Sequence, residues 1–435
     1  MLNVYRISRP PIHRRGAVAV LVALLLIPLF AFAALCVDMG WIAVTQSELQ
    51  NAADASAAAG ARQLVDNYAA YSLPAQRNRS SLAAATEGNA TAYSRKFAAY
   101  NSAGGAVSLD VLPGDITFGF TDASGQFSPV SGLGGYPNTI QVVVRRDASA
   151  NGKLPLFFAP LIGKREHALT ATASATIYTG VITSFDPSAV RSSGSGSGSG
   201  SSGSENGSGS GGGGVSGDDY SGEGAGSCSL LPVAFDVNAW NTFLTTGLSP
   251  DRVLHTDSSG SPQIQIYPSP PTAPGNVGLL CIGAWTNSDR DFREWILSGP
   301  EEDDLHFLLD SRQLPVSTQA PKAWKGSPGL KSELRREFAE IVGQPRLLPL
   351  FKPASLAPYQ AASGSGSNAT YNIVGFVGVT ITQATRNGKN MVIAVQPTSV
   401  MDTSAVFDPD TLYPAGAEPA TQLKTFTHVA PKFTK

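Results

Sequence analysis

An uninterrupted apolar segment near the N-terminus constrains this sequence more than any other feature. Residues 17–37 are 21 consecutive residues without a charged side chain. As an α-helix, such a segment is about 30 Å long, which matches the hydrocarbon thickness of a bilayer. Pro28 lies within it, where the missing N–H favours a kink that membrane helices tolerate. We therefore predict a transmembrane helix over residues 17–37.

The charges that flank this segment predict its orientation. Four arginines precede it, at positions 6, 9, 14 and 15, and the first acidic residue of the chain is Asp38. The positive-inside rule places residues 1–16 in the cytoplasm and exports the chain after Asp38. We therefore predict a single-pass protein whose C-terminal domains lie outside the cytoplasm.

The segment also has features of a cleavable signal. The tripeptide Ala-Phe-Ala at 31–33 resembles a signal peptidase site. However, the apolar segment continues to Val37, whereas a signal peptide has an apolar core of only about 7–15 residues. Lipid attachment at Cys36 is disfavoured by the large Leu35 before it. A retained anchor is therefore the preferred interpretation, and a signal peptide is the alternative.

The chain after the membrane segment has the composition of a helix. Residues 38–71 contain no proline and are rich in Ala, Gln, Glu and Leu. We expect one long helix that leaves the membrane near Trp41, an interfacial aromatic, bends near Gly40 and breaks before Pro74. Its alanines form a small-residue face over 49–61, which allows close approach of another element. That face packs either on its own domain or on a partner, and both alternatives stay open.

The following residues change from helical to strand periodicity. Residues 80–101 predict a second helix, and the alternating segments 138–147 and 168–178 predict strands. Four large side chains of the second helix are expected to be buried: Leu82, Tyr93, Phe97 and Tyr100. This pattern predicts an exported α+β domain in which the long helix lies against a small sheet.

A Gly/Ser-rich segment separates this domain from a second one. In residues 192–227, 28 of 36 residues are Gly or Ser, too polar a composition to form a core. As a flexible linker it spans about 30–36 Å. Beyond it we predict a second α+β domain, with an N-cap at Asp236 or Asn238, an amphipathic helix over 327–345 and a hairpin turning at Asn387-Gly388.

These predictions divide the chain into six regions. They are a cytoplasmic basic segment (1–16), the transmembrane helix (17–37), the first exported domain (38–191), the linker (192–227), the second exported domain (228–397) and a C-terminal tail (398–435) with little pattern beyond turns.

Composition and cysteine positions limit the classes of function. With 15% charged residues and a net charge of −2, the composition suggests no broad electrostatic attraction to nucleic acid. Cys228 and Cys281 would lie in an exported, oxidising compartment, where a disulfide between them is plausible. The alternative is two separate buried thiols. Metal ligation is disfavoured because neither cysteine has a CxxC partner or a histidine at ligand spacing.

Sequence motifs for catalysis are missing. The five histidines form no HExxH pair, and the chain contains no GxxxxGK[ST] phosphate loop and no GxSxG nucleophile motif. The acidic residues 301–304 fit a helix start better than a cation site. Neither Asp54 nor Asp402 begins a complete DxSxS metal-adhesion motif. We therefore expect no enzymatic activity, no cofactor and no bound metal.

The N-terminal segment resembles a known family. "RRGAVAVLVALLLIPLFAFAALCVDMGWIAVTQSELQNAADASAAAGA" is similar to the N-terminal module of TadG-like proteins of the bacterial Flp/Tad pilus-assembly (TadE/TadG) group. That module has a basic pair, a Gly-Ala start, an apolar span, Val-Asp-x-Gly and an alanine-rich helix. The matching residues here are Arg14, Arg15, Gly16, Val37, Asp38, Gly40, Leu49, Gln50, Asn51, Ala52, Ala53, Asp54 and Ala55.

The resemblance implies a role in the bacterial cell envelope without enzymatic activity, either minor-pilin-like or in pilus assembly. Its partners would be pilus-assembly or pilin-like proteins and the lipid bilayer of the inner membrane. The membrane anchor and partner-packing helix would use Gly16, Pro28, Asp38, Gly40, Trp41, Leu49, Asn51, Ala53, Asp54 and Ala57. Prepilin peptidase substrates carry Glu five residues after the cleavage-site Gly. Leu21 holds that position here, which favours a retained anchor.

A tethered or secreted surface-binding, adhesin-like module is the alternative function. It would be favoured by an exposed aromatic patch formed from Trp240, Trp285, Trp295 or Trp324. An exported hydrolase would instead require carboxylates or a histidine dyad that converge in a pocket, and no such pair stands out.

Overall fold

A computed structural model of the chain describes residues 15–129, 135–190, 228–268, 276–283, 288–353, 369–387 and 390–434. The predicted linker (192–227), Trp285 and nearly all of the cytoplasmic segment lie outside the described residues. The described part mixes helices and sheets and begins with a long apolar helix. The predicted α+β fold class is therefore confirmed.

Seven α-helices occur in the described residues. They are α1 (Arg15–Gln63), α2 (Tyr68–Ser72), α3 (Arg79–Ala99), α4 (Val237–Thr246), α5 (Asp289–Leu297), α6 (Glu302–Asp310) and α7 (Arg335–Glu340). Helix α1 has 49 residues, includes Pro28 and continues through Gly40, where a bend was expected. It ends earlier than predicted, and the short α2 follows before Pro74.

Eighteen strands occur in the same described ranges. They are β1 (Ile116–Thr121), β2 (Phe127–Pro129), β3 (Thr139–Arg146), β4 (Leu154–Pro155), β5 (Glu166–His167), β6 (Leu169–Thr179), β7 (Ile182–Phe185), β8 (Val233–Asp236), β9 (His255–Thr256), β10 (Pro262–Tyr267), β11 (Val277–Leu280), β12 (Lys322–Pro328), β13 (Pro345–Lys352), β14 (Ala369–Asn387), β15 (Asn390–Pro397), β16 (Ala405–Phe407), β17 (Tyr413–Pro414) and β18 (His428–Thr434).

The first sheet has the order β17-β6-β3-β1-β2, and β18 also pairs with β6. Separately, β16 pairs with β7, and β4 pairs with β5. Sequence pattern indicated only turns in the C-terminal tail, whereas the structure has three strands there. His428 pairs with Thr179, for example. These partners are far away in sequence, so no local periodicity could reveal the pairing.

The second sheet has the order β12-β11-β8-β13-β14-β15-β10-β9. An additional β12–β14 pairing closes five of these strands into a ring. Tyr371 leaves no space for a side chain at position 278. A Cβ on Gly278 would lie 2.2 Å from the Cζ atom of Tyr371, so glycine is required there. The predicted hairpin is β14–β15, in which Asn387 pairs with Asn390. Gly388 lies outside the described residues.

Helices of the second predicted domain follow the capping rules in part. The Asp236 carboxylate accepts hydrogen bonds from the N–H groups of Asn238 and Ala239, so the predicted N-cap of α4 is confirmed.

The predicted amphipathic helix is shorter than expected. Its four apolar residues are all buried (Leu330, Leu334, Phe338 and Ile341). However, β12 extends to Pro328 and Gly329 has a φ of +76°, so α7 begins only at Arg335.

Contact density divides the chain into two compact units. The described residues of the first unit come from Met1–Ala57, Tyr93–Ile116 and Gln141–Ala173, and those of the second from Ala58–Ala92, Thr117–Ile140 and Ser174–Lys435. The second unit thus joins residues from both predicted exported domains, because β16, β17 and β18 pair with strands that precede the linker. The predicted domain boundaries themselves stay predictions.

Candidate functional site: the membrane-proximal helix and its supports

The N-terminal half of α1 presents large apolar side chains to its surroundings. Their exposed fractions lie between 40% at Leu26 and 69% at Ile27 for the leucine, isoleucine and phenylalanine residues from Leu21 to Leu35. Mean hydropathy reaches 2.5 in this helix, and it is the one helix in the described residues that is long and apolar enough to cross a membrane. These properties fit a single-pass membrane protein.

Asp38 ends the exposed apolar segment and attaches α1 to a neighbouring loop. Its carboxylate accepts hydrogen bonds from the backbone N–H groups of Phe157 (2.8 Å), Phe158 (3.0 Å) and Ala159 (2.6 Å). The Trp41 ring lies 5.7 Å from the Phe157 ring, centroid to centroid. Hydrogen bonds to an ionised acceptor are stronger than neutral ones, so Asp38 fixes this loop beside the end of the span.

Two glutamines farther along α1 cover the edge of β6. Gln46 Nε2 donates to the Thr170 carbonyl (3.0 Å), and Gln50 Nε2 donates to the Thr172 carbonyl (3.2 Å). Residues four apart lie on one face of a helix, and alternate residues of a strand lie on one side. The spacing of the glutamines therefore matches that of the edge carbonyls, which would otherwise be open to another strand.

Glu48 holds a tight turn against the same stretch of α1. Its carboxylate accepts a hydrogen bond from the Gly104 N–H at 2.7 Å. Gly104 has a φ of +53°, and a Cβ there would lie 2.5 Å from Leu154 Cδ1. The Arg146 guanidinium completes the turn by donating to the Ala103 carbonyl at 2.7 Å. Only glycine fits this position, because both the backbone conformation and the space exclude a side chain.

The small-residue face of α1 is buried within the chain. Leu49, Ala53 and Ala57 are each 0% exposed. Small side chains let α3 approach closely enough for Ser94 Oγ to donate to the Ser56 carbonyl at 3.0 Å. Of the two alternatives for this face, the structure has the intramolecular one. The predicted partner-packing role of Leu49, Ala53 and Ala57 is corrected accordingly, because a partner has no access to them.

Comparison with known families supports the interpretation of this helix. Residues 16–63 match the family model of the putative Flp pilus-assembly TadE/G-like proteins. No curated protein and no solved structure matches the chain. The predicted resemblance is confirmed over the matched residues, which coincide with nearly all of α1. The TadE/G-like match supports a role related to Flp/Tad pili.

The remaining predicted residues of the TadE/G-like helix are accessible or lie in its membrane part. Gly16 and Pro28 lie within α1, and Asn51 is exposed. Asp54 is half-buried and accepts a hydrogen bond from Gln50 Nε2 at 2.9 Å. A Cβ added to Gly40 would meet no atom within 4 Å. Their roles toward a partner stay predictions.

Sequence reasoning did not find Gln46, Glu48 or Gln50 as supports of the TadE/G-like helix. A signal was available: polar side chains are frequent in the first turns after the apolar segment, in contrast to the alanine-rich turns that follow. Gln46 and Gln50, four residues apart, lie on one face of the helix, whereas Glu48 between them lies on another. The pattern does not show that the partners are backbone groups of a strand and a turn.

Phe97 in α3 and Tyr100 directly after it are not buried as expected. Phe97 is 36% exposed and Tyr100 is 55% exposed, whereas Ser94 and Ala98 are 0% exposed. The prediction of a large apolar buried face was therefore wrong. The physical reason is that the facing part of the TadE/G-like helix is itself smooth, so that small side chains on both helices permit close contact.

Cys228 and Cys281 are two buried thiols that no disulfide joins. Burial raises the pKa of both thiols. The structure thus has the second of the two predicted alternatives. A high thiol pKa disfavours the reactive thiolate.

The second unit contains a cleft and three of the four tryptophans considered above. Trp240 and Trp324 are 0% exposed and Trp295 is 5% exposed, so these three form no exposed patch. The cleft has a volume of about 720 Å³. In its wall the Tyr71 and Tyr136 rings lie 5.0 Å apart. Within the described ranges no group of three His, Cys, Asp or Glu residues could hold a metal ion.

Proposed function

We propose that the protein is a bitopic bacterial inner-membrane protein that supports assembly or anchoring of Flp/Tad-type pili. Its N-terminus lies in the cytoplasm and both exported domains lie outside. The chain acts through protein–protein contacts with pilus-assembly or pilin-like partners, and we propose no catalytic step for it.

The observation that carries this proposal is the continuity of α1. One helix includes the apolar segment, the TadE/G-like match and the residues that hydrogen-bond to the folded part of the first unit. Asp38, Gln46, Glu48 and Gln50 make these bonds within the first four turns after the apolar segment. A force applied to the exported part of the first unit would therefore reach the membrane through ordered hydrogen bonds instead of a flexible linker.

Anchoring is tested by the N-terminal residue and the membrane partition of the native protein. We expect an intact N-terminus in the membrane fraction, measured by fractionation and terminal-peptide mass spectrometry. A start at Ala17 would mean pilin-type processing despite Leu21 and would favour incorporation into a fibre. A start at Ala34 in the soluble fraction would overturn the anchor proposal.

The pilus role is tested in the host by replacing the span. Cells that lack the chain are complemented either with the full-length protein or with residues 38–435 behind a cleavable signal peptide. Surface pili are counted by electron microscopy at matched protein levels. We expect pili only with the full-length protein. Equal piliation by the soluble form would contradict anchoring, and normal piliation without the chain would contradict the pilus role.

A tethered surface-binding module is the second candidate, and the cleft of the second unit is the observation that favours it. Arg79 lies over the Tyr71 ring at 5.0 Å, so the cleft combines aromatic faces with a cation. The burial of three tryptophans counts against an aromatic patch outside the cleft. Loss of cell adhesion with unchanged piliation in a Tyr71→Ala variant would favour this candidate.

A further inference from the structure

The loop that Asp38 holds carries an exposed apolar surface. Four side chains, here named the apolar tip, are exposed: Leu161 by 85%, Ile162 by 81%, Phe157 by 62% and Phe158 by 42%. They lie within six consecutive positions, 157–162, of one short loop. Large apolar side chains clustered in this way usually mark a contact surface.

The hydrogen bonds of Asp38 fix the level of the apolar tip along α1. Asp38 is the first residue after the apolar segment, and the backbone N–H groups of Phe157, Phe158 and Ala159 contact its carboxylate directly. The Trp41 ring, three residues after Asp38, packs against the Phe157 ring in a tilted arrangement. The apolar tip therefore lies where α1 leaves the hydrocarbon, which is the depth that interfacial aromatic residues prefer.

The loop is held in one conformation by its own backbone. Leu154 pairs with His167 at its base. The Leu156 N–H donates to the Arg165 carbonyl at 3.0 Å, and the Lys164 N–H donates to the Ala159 carbonyl at 3.0 Å. Because the base is paired and Asp38 binds the side, the apolar tip keeps a fixed position relative to α1.

The charges around the apolar tip match a lipid surface. Lys164 and Arg165 follow the tip after Gly163 and are exposed, and residues 148–165 contain no acidic side chain, the next one being the exposed Glu166. Apolar side chains flanked by cations are typical of segments that insert into the headgroup region of membranes containing anionic lipids.

We propose that the apolar tip inserts into the membrane surface beside α1 and forms a second membrane contact. Its ligand is the lipid bilayer, with Lys164 and Arg165 facing anionic headgroups. A single helix can rotate and tilt in a bilayer, whereas a helix with an inserted loop at its side has one preferred rotation. The tip would thus set the direction in which the exported part of the first unit faces. The proposal depends on α1 as the membrane span and does not depend on the pilus role.

The test uses the full-length protein at one copy per lipid nanodisc. In a Cys36→Ala background, where the two remaining cysteines are buried, Leu161→Cys is labelled with an environment-sensitive fluorophore. The matched control is Val107→Cys, because Val107 is equally exposed at 85%. It follows the turn bound by Glu48, which lies ten residues and about 15 Å farther along α1 than Asp38.

We expect the label at position 161 to emit at shorter wavelength and to be quenched several-fold more strongly by headgroup-proximal spin-labelled lipid than the label at 107. Equal and weak quenching at both positions would overturn the proposal. It would also be overturned if the label at 161 changed only with several copies per disc and without lipid quenching, because the tip would then contact a second copy.

The charge component is tested with lipid composition. Quenching at position 161 should increase when anionic lipid replaces neutral lipid. The Lys164→Gln/Arg165→Gln double variant should lose this increase while it keeps the quenching in neutral lipid. An increase of the same size in the double variant would contradict the role given to the two cations.

Discussion

The two halves of α1 differ in environment although one continuous helix contains both. Before Asp38 the helix exposes large side chains, such as Ile27 at 69%, whereas after it Leu49 and Ala53 are 0% exposed. Alanine is frequent in both halves, so alanine content does not distinguish them. The difference lies in the other residues: leucine, isoleucine and phenylalanine before Asp38, and polar residues at helical spacing after it.

This comparison shows how the two halves of one helix can suit two environments, lipid and a folded domain. Large apolar side chains are stabilised when lipid surrounds them, and they need no specific partner. The folded half instead combines a smooth buried face with side chains that satisfy backbone groups of β6 and the Gly104 turn. The effect of a substitution on stability should therefore depend on side-chain size and hydrogen bonding in the folded half. In the apolar half before Asp38 it should not.

The largest expected effect comes from increasing side-chain size. Ala53→Leu should lower the free energy of unfolding by about 1–3 kcal/mol, because the added atoms have no space in a filled core. The matched change in the other half, Ala33→Leu, should cause no loss, because Ala33 is exposed. Both are measured by denaturant unfolding in detergent micelles. Equal destabilisation by the two variants would contradict the contrast between the halves.

The next largest effect is expected at Asp38, the residue between the two halves of α1. Asp38→Ala should speed amide hydrogen exchange at Phe158 and Ala159 several-fold, because both N–H groups lose their acceptor. Asp54→Ala is the control, since Asp54 accepts a hydrogen bond from Gln50 and leaves the loop untouched. Unchanged exchange in Asp38→Ala would mean that other contacts hold the loop.

Substitution of Gln46 and Gln50 tests whether their hydrogen bonds to β6 stabilise the folded half of α1. Gln46→Ala/Gln50→Ala should lower the free energy of unfolding by about 1 kcal/mol, because two partly exposed hydrogen bonds to β6 are lost. Ser47→Ala, on the exposed side of the same turn, should have almost no effect. The measurement is denaturant unfolding as before. A loss as large as that of Ala53→Leu would show that these bonds contribute more than surface hydrogen bonds normally do.

Sequence alone predicted the features that repeat locally. The apolar segment, the helical composition after Asp38, the Asp236 cap and the β14–β15 hairpin each depend on neighbouring residues. Three of the misses share one cause, which is pairing over long sequence distance. The pairing of His428 with Thr179, the covering of β6 by Gln46 and the burial of Ser94 in place of Phe97 depend on elements brought together by folding.

The candidate site residues also divide into those that local sequence indicates and those that only the fold reveals. Asp38 and Trp41 could be named from their position at the end of an apolar segment. Glu48 could not, because its partner is a backbone N–H whose turn requires a glycine far away in the sequence. The position of the apolar tip could not be predicted from sequence, because the hydrogen bonds to Asp38 bring together residues about 120 positions apart.

The smallest expected effect concerns Gly40, the exposed small residue between the two halves. Gly40→Ala should raise the free energy of unfolding by about 0.5–1 kcal/mol, because alanine reduces the entropy cost of a helix and its Cβ meets no atom within 4 Å. Gly88→Ala in α3 is the matched control, since a Cβ there also meets open space. Both variants should gain stability in denaturant unfolding of the purified protein. If Gly40→Ala alone reduced piliation in cells while the purified variant gained stability, the open space at Gly40 would be the place where a partner helix approaches. A loss of stability in the purified protein would instead contradict the open space around this helical position.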